Sequence, residues 1–257
     1  MMDIGIEAQK FMLVFFRIVS VLWFIPLLSS RFVSAIFKAS LSLLIAFLLF
    51  SSVNIAVSLD VLSDPFSFLL LTLREVFIGV TIGFIAKIIF SSISVAGDIM
   101  SLQAGFSFAR FMDPFTMTQV SVLEQVKNLL AIMIFFAIDA HYIVFLALSA
   151  SFTELPIGAA ALREPLLHYV INATARVFSL GFKIGAPIIV TLFLVELAFG
   201  MLSRMIPQVN IFIEGVPIKI LITTIMLIVS LAVTVPVIAG LFKGMDNDFI
   251  RVFRLMV

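Results

Sequence analysis

Residues able to do acid-base, nucleophilic or metal chemistry are few in this chain of 257 residues, and their spacing serves none of those ends. The two histidines, His141 and His168, stand 27 positions apart. No HExxH pair, GxSxG elbow or phosphate-cradling glycine loop accompanies them, so the patterns that build a zinc site, an acyl nucleophile or a nucleotide site are missing. Asp139 and His141, two apart, would not share a face of a helix and so make neither a proton relay nor a metal pair; a structural or interfacial role is expected of both. With no cysteine there is no disulfide, thiolate nucleophile or Cys-ligated metal. No catalytic residue, metal or cofactor is expected.

What does stand out is charge inside apolar stretches: Arg17, Lys87, Asp139, Lys183 and Glu196. Each costs roughly 3 kcal/mol at a bilayer centre unless it snorkels, pairs or faces protein. They are scattered over four segments and form no string along one helix. Ion pairing between subunits is therefore expected of them, in preference to ion transport.

The elements that carry these charges are set by composition. Hydrophobic residues make up 63% of the chain and charged ones 12%, about half the charged share of a soluble domain, so polar groups cannot cover a water-facing surface. Phe occurs 29 times against one Trp and two Tyr, which leaves the usual interfacial aromatic belt nearly absent. A net charge of +1 without a polybasic run argues against nucleic acid or an anionic lipid surface as the main partner. Met1 to Lys10 carries Asp3 and Glu7 where a signal peptide would be basic, and a retained helix is expected there.

Runs of about 20 mostly apolar residues occur at Phe11–Ser30, Ala39–Leu59, Phe66–Ala96, Leu129–Phe152, Val177–Phe199 and Ile220–Phe242. The fold class expected is all-α: an integral membrane protein of about six long, apolar helices arranged as hairpins, kinked at Pro26, Pro187 and Pro236. No repeat or long linker divides it, so residues 1–257 read as one domain. Its informative connections lie at 97–128 and 200–219, and a short tail, 243–257, is expected at an aqueous face.

Assigning loops alternately to two sides puts Lys10, Arg74, Arg163, Arg176, Lys243, Arg251 and Arg254 on one and Arg31, Lys38, Arg110, Lys127, Arg204 and Lys219 on the other. No orientation follows from so even a division, which suggests that some apolar segments do not span in the assembled state.

Three stretches carry the motifs. Within Phe66–Ala96, Glu75, Gly79 and Gly83 fall at i, i+4 and i+8, a small-residue face suited to ordinary helix-helix contact. The connection that follows sets Phe106, Phe108, Phe111, Met112, Phe115 and Met117 between Gln103-Ala-Gly105 and a turn at Asp113-Pro114. Exposed to water these side chains would aggregate, so they fill something hydrophobic, either a core or a pore constriction. In the third stretch Pro207, Gly215 and Pro217 interrupt the helix, while Gln208 and Asn210 offer hydrogen bonds to the freed backbone.

Taken together, Glu75-x-x-x-Gly79-x-x-x-Gly83, Gly97-x-x-x-x-x-Gln103-x-Gly105-Phe106 with Asp113-Pro114, and Pro207-Gln208-x-Asn210-x-Phe212-x-x-Gly215-x-Pro217 resemble the FliR family, called SpaR or YscT in injectisomes. Lys219, just beyond the last motif, departs from nothing that pattern requires. The resemblance covers nearly the whole chain, and the proline-glutamine stretch is its most specific part. It implies the R component of a type III export gate: one copy assembled with several P-type and Q-type subunits into a closed helical cone. In that family the apolar hairpins largely stand above the bilayer plane, packed on neighbours. It also implies the B-type export-switch and A-type export-platform proteins as further partners, unfolded flagellar proteins as substrates, and the bacterial inner membrane at the flagellar basal body as the location.

By the same resemblance Gly105 to Met117 corresponds to the plug that projects into the pore. A ring of Phe and Met can exclude water and ions yet yield to a passing chain, because its seal is non-directional packing. The flagellar system is preferred to an injectisome on overall similarity alone. A small-solute transporter, the alternative from another class, would show inverted repeats and broken helices meeting at a midplane site, and neither is detected.

Overall fold

A computed structural model describes residues 2–29, 33–51, 53, 64–106, 121–158, 163–206 and 211–256. Among these, nine helices follow one another: α1 (Met2–Phe24), α2 (Pro26–Ser29), α3 (Ala35–Phe50), α4 (Pro65–Ala104), α5 (Val122–Ala137), α6 (Ala140–Glu154), α7 (Glu164–Met205), α8 (Ile211–Val229) and α9 (Leu231–Met256). The protein is all-α, with apolar helices of membrane type. α4 and α7 are each long and apolar enough to cross a membrane, and up to four spans result if α5 with α6 and α8 with α9 each count as one.

Local chemistry sets most helix starts. Asp64 precedes Pro65, and its carboxylate accepts from the Ser67 N–H at 3.0 Å and the Ser67 hydroxyl at 2.6 Å. That is an N-cap followed by proline at the first helical position, where the missing N–H is no loss. The same hydrogen bonds hold the Asp64 carboxyl below its ordinary pKa. Ser34 caps α3 through Phe37 N, and Ser121 caps α5 through Glu124 N at 3.1 Å.

Several boundaries differ from those expected. α4 extends to Ala104, so its 40 residues reach about 60 Å, and the first connection begins only at Gly105. The fourth apolar stretch breaks at Asp139, which adopts a left-handed conformation with φ 55°. A further break falls at Ser230, where α8 and α9 bend by 59°. Helices α7, α8 and α9 run through Pro187, Pro217 and Pro236. Pro26 opens α2 just past the end of α1, Pro207 falls between the end of α7 and the start of α8, and Pro217, where an interruption was expected, lies inside α8. Lys38, Arg74, Lys127, Arg176 and Lys219, counted above as loop charges, lie inside helices, which removes the basis of that division.

The chain separates into two compact units. The first comprises 1–88, 139–173 and 242–257. Its core draws Leu13, Ile18 and Val21 from α1, Ile78 and Ile82 from α4, Val144 and Leu148 from α6, and Phe242, Met245, Phe249 and Val252 from α9. The segment expected to be a short aqueous tail thus continues α9 as an amphipathic helix. Its charged face includes exposed Lys243, Asp246, Arg251 and Arg254, while Asp248 accepts from the Tyr169 hydroxyl at 2.9 Å.

The second unit comprises 89–138 and 174–241. Here α4 and α5 run antiparallel: the Phe90 and Phe135 rings stand 5.8 Å apart, the Asn128 amide donates to Ser94 Oγ at 3.0 Å, and Gly97 meets the Glu124 backbone. On α7, Gly181 and Gly185 admit Val95 and Met100 of α4. The most apolar window of α4 is 61% buried and that of α7 only 22%, so α7 presents most of its apolar surface outward.

Candidate functional site

Two sets of motif residues acquire partners. The first begins with the glycines of α4. A Cβ at Gly79 would overlap Arg17 O and Ser20 Cβ of α1, and one at Gly83 would overlap Phe24 Cβ and crowd Val21 O. The glycine ladder therefore seats α1 directly on α4, close enough for Arg17 to reach Glu75 one turn earlier on α4.

Both side chains are fully buried. Arg17 Nε donates to Glu75 Oε2 at 2.6 Å, Nη1 to Ser151 O at 2.8 Å, and Nη2 to Leu155 O at 3.1 Å. The guanidinium also lies 4.3 Å from the centroid of the Phe152 ring. The other carboxylate oxygen, Glu75 Oε1, accepts from Gly158 N–H at 3.0 Å, and Arg74 donates to Gly158 O at 2.9 Å. Gly158 sits at φ +83°, where a side chain would be strained and would press on Leu71.

This hub joins α1, α4 and the end of α6 through charge-assisted hydrogen bonds that leave neither ion uncompensated. Arg17 was expected to pair with another subunit, but its partner lies in its own chain. The reason is the close approach that Gly79 and Gly83 permit. Glu196 is corrected likewise, since it accepts from Lys219 within the chain at 2.7 Å. Sequence reasoning missed Ser151, Leu155 and Gly158, which act largely through backbone groups and carry no side-chain signal. The available signal for the pair itself was one basic residue in Phe11–Ser30 and an acid at the head of the glycine ladder.

The second set belongs to the second unit. Gly105 ends α4 at φ +87°, and a Cβ there would meet Val216 Cγ1 at 3.3 Å. The end of α4 and the first turns of α8 are thereby brought together, so the two stretches singled out in the sequence touch. Gly215, Pro217 and Lys219, expected in a loop, lie inside α8. Gly215 admits the Phe199 ring of α7, against which a Cβ would stand at 2.8 Å. Buried Gln103 Oε1 finds no hydrogen-bond donor among the described residues.

Phe106 closes the described part of this connection. Phe108, Phe111, Met112, Asp113, Pro114, Phe115 and Met117 lie outside the described residues, as do Pro207, Gln208 and Asn210 and the side chain of Phe212. Glu75, Gly79 and Gly83 belong to the first unit. Among the described residues no cluster of three His, Asp or Glu could hold a metal ion.

Residues 8–245 match the family described as bacterial export proteins, family 1. The chain is 30% identical over 236 residues to the flagellar biosynthetic protein FliR of Bacillus subtilis, an alignment covering 91% of this chain and 90% of that one. It is 31% identical to FliR of Escherichia coli over 90% of this chain and 87% of that protein, and 30% identical to FliR of Aquifex aeolicus over 96% and 93%. With its apolar helices, its glycine-seated ion pair and a family match running through both units, this chain belongs to the bacterial export proteins, family 1.

Proposed function

We propose that the chain is the R-type gate subunit of the flagellar type III export apparatus, set in the bacterial inner membrane and assembled with P-type and Q-type subunits. The observation that carries this reading is the extent of the similarity: relatives named flagellar biosynthetic protein FliR align over most of both chains. The surface supports it physically. Phe178, Phe182, Phe193 and Leu197 of α7 are each more than half exposed, an area that needs lipid or other apolar subunits to cover it. The B-type and A-type export proteins are further partners on the same reading, and the gate conducts unfolded flagellar proteins without doing chemistry on them.

In this proposal Gly105 to Met117 is the plug. Gly105 gives the chain a left-handed exit from α4 beside Val216, and the Gln103 amide oxygen is available to accept from backbone of the segment that follows. Phe106, Phe108, Phe111, Met112, Phe115 and Met117 then close the conduit by soft apolar packing, which a translocating chain can displace without breaking directed bonds. Two measurements test the reading. Co-expressed P-type and Q-type subunits should co-purify with the chain from detergent, and a chain stable alone that carries a small solute would overturn the assignment. Deleting Phe106 to Met112 should leave that complex intact while making membranes leak ions, and unchanged conductance would remove the plug.

A further inference from the structure

Between α6 and the end of α9, both within the first unit, lies an open groove of about 340 Å³. Its floor is apolar, made by Ala147 and Ala150 of α6 and Phe249 and Phe253 of α9. Leu146 and Ile250 stand beside it, 49 and 43% exposed. The remaining lining residues are charged: Glu154 of α6, and Asp246 and Arg254 of α9. All three are exposed, and none is ion-paired among the described residues, although they share one groove.

Helix periodicity builds this arrangement. Leu146, Ala150 and Glu154 fall at i, i+4 and i+8, as do Asp246, Ile250 and Arg254, so each helix contributes one ridge of side chains. Both ridges are held from behind. Arg17 ties the end of α6 through the carbonyls of Ser151 and Leu155, and the Tyr169 hydroxyl ties α9 through Asp248 at 2.9 Å. The groove therefore keeps its shape before anything enters it, which reduces the ordering cost of binding.

Size and charge together identify the occupant. A cleft of this volume is too small for a folded domain and sufficient for a few side chains along one face of a helix. Ala147 and Ala150 are small enough to let a third backbone lie close, and the Phe249 and Phe253 rings offer water no hydrogen bonds. Two carboxylates and one guanidinium around an apolar floor select basic groups for Glu154 and Asp246 and an acidic one for Arg254. An uncharged helix would bury all three without compensation. Lipid fits no better, because the two carboxylates repel anionic headgroups, and from Phe242 onward α9 exposes Lys243, Asp246, Arg251 and Arg254, a face suited to water.

We infer that this groove docks one amphipathic helix of a partner export subunit. That helix lays apolar side chains spaced by three or four on the Phe249 and Phe253 floor and sets lysine or arginine against Glu154 and Asp246. The inference rests on the reading of the chain as an export-gate subunit, and adds where a partner is held and which charge its helix carries.

The test uses the assembled complex. In cells that make the full chain with separately tagged P-type, Q-type, B-type and A-type subunits, p-benzoylphenylalanine replaces Ile250 in the groove or, as control, Lys243 outside it. Irradiation should join position 250 to one tagged subunit, and position 243 should give little of that adduct. Glu154→Lys with Asp246→Lys should lower the adduct about tenfold, while Glu154→Asp with Asp246→Glu should keep it. If the charge-reversed chain does not accumulate, Glu154→Gln with Asp246→Asn replaces it, and a loss of about threefold is expected. An adduct unchanged by loss or reversal of charge, or only lipid or nothing captured from position 250 in a complex that still holds P-type and Q-type subunits, would overturn the docking site and leave the gate reading standing. Co-purification reads the gate separately: if P-type and Q-type subunits do not accompany the chain, the gate reading falls, and the docking site falls with it.

Discussion

Arg17 and Glu75 carry opposite charges where water does not reach, and both carboxylate oxygens and all three guanidinium nitrogens are engaged by groups of the same chain. Removing one member strands the other. Glu75→Ala should therefore destabilise the first unit by about 3–5 kcal/mol, read as loss of the protein from membranes and loss of motility. The double change Arg17→Met with Glu75→Leu should recover much of that level, since it leaves no unpaired ion behind. Lys219 and Glu196 form a contrasting pair, with side chains 19 and 44% exposed. There Lys219→Ala should cost under about 1 kcal/mol, and steady-state protein should barely change. The identities of all four residues were legible in the sequence as charges in or beside apolar stretches. Their partners were not, because pairing depends on which helices come into contact, and expected intersubunit bridges proved to be internal ones.

At the scale of elements, the glycine ladder and the helix starts follow rules that act within a few residues. Gly79→Leu should push α1 off α4 and carry Arg17 away from Glu75, so its effect on protein level should resemble that of Glu75→Ala; a variant at wild-type abundance would count against the seating role. Ser121→Ala removes the acceptor of the Glu124 N–H and should cost about 1 kcal/mol, seen as a lower temperature of aggregation for the purified complex. The breaks were harder to foresee. Proline marks a lost hydrogen bond, yet α7, α8 and α9 continue through Pro187, Pro217 and Pro236, whereas Ser230 and Asp139 mark breaks. Membrane-type helices tolerate proline when neighbours satisfy the freed groups, so tertiary context decides where the chain bends.

For the whole molecule the governing quantity is apolar surface left open. α7 keeps most of its apolar window outward, and α3 does so with its bulky side chains, so the chain is incomplete as a particle in water. On the proposed gate assignment, the chain expressed alone should be degraded or recovered as detergent-dependent aggregate, and co-expression of P-type and Q-type subunits should restore a single species in size-exclusion chromatography. Gly105→Val tests the proposed plug. The substitution strains a φ of +87° and collides with Val216, so it should reduce export of flagellar proteins while co-purification persists.

Composition alone determined the main solvent: with 63% hydrophobic and 12% charged residues, polar groups are too few to cover the whole surface of this chain in water. Local spacing determined that it is helical, that a long helix begins near Phe66, and that Gly79 and Gly83 would admit another backbone. Only the tertiary structure decided that this backbone is α1, that Arg17 finds Glu75, that Gly105 meets Val216 across more than a hundred residues, and that α3 turns its lysine inward and its phenylalanines out. The physical reason is range. Capping, helix propensity and partition into lipid are settled by neighbours along the chain, whereas pairing of buried charges and the seating of one helix on another depend on contacts between residues far apart in sequence.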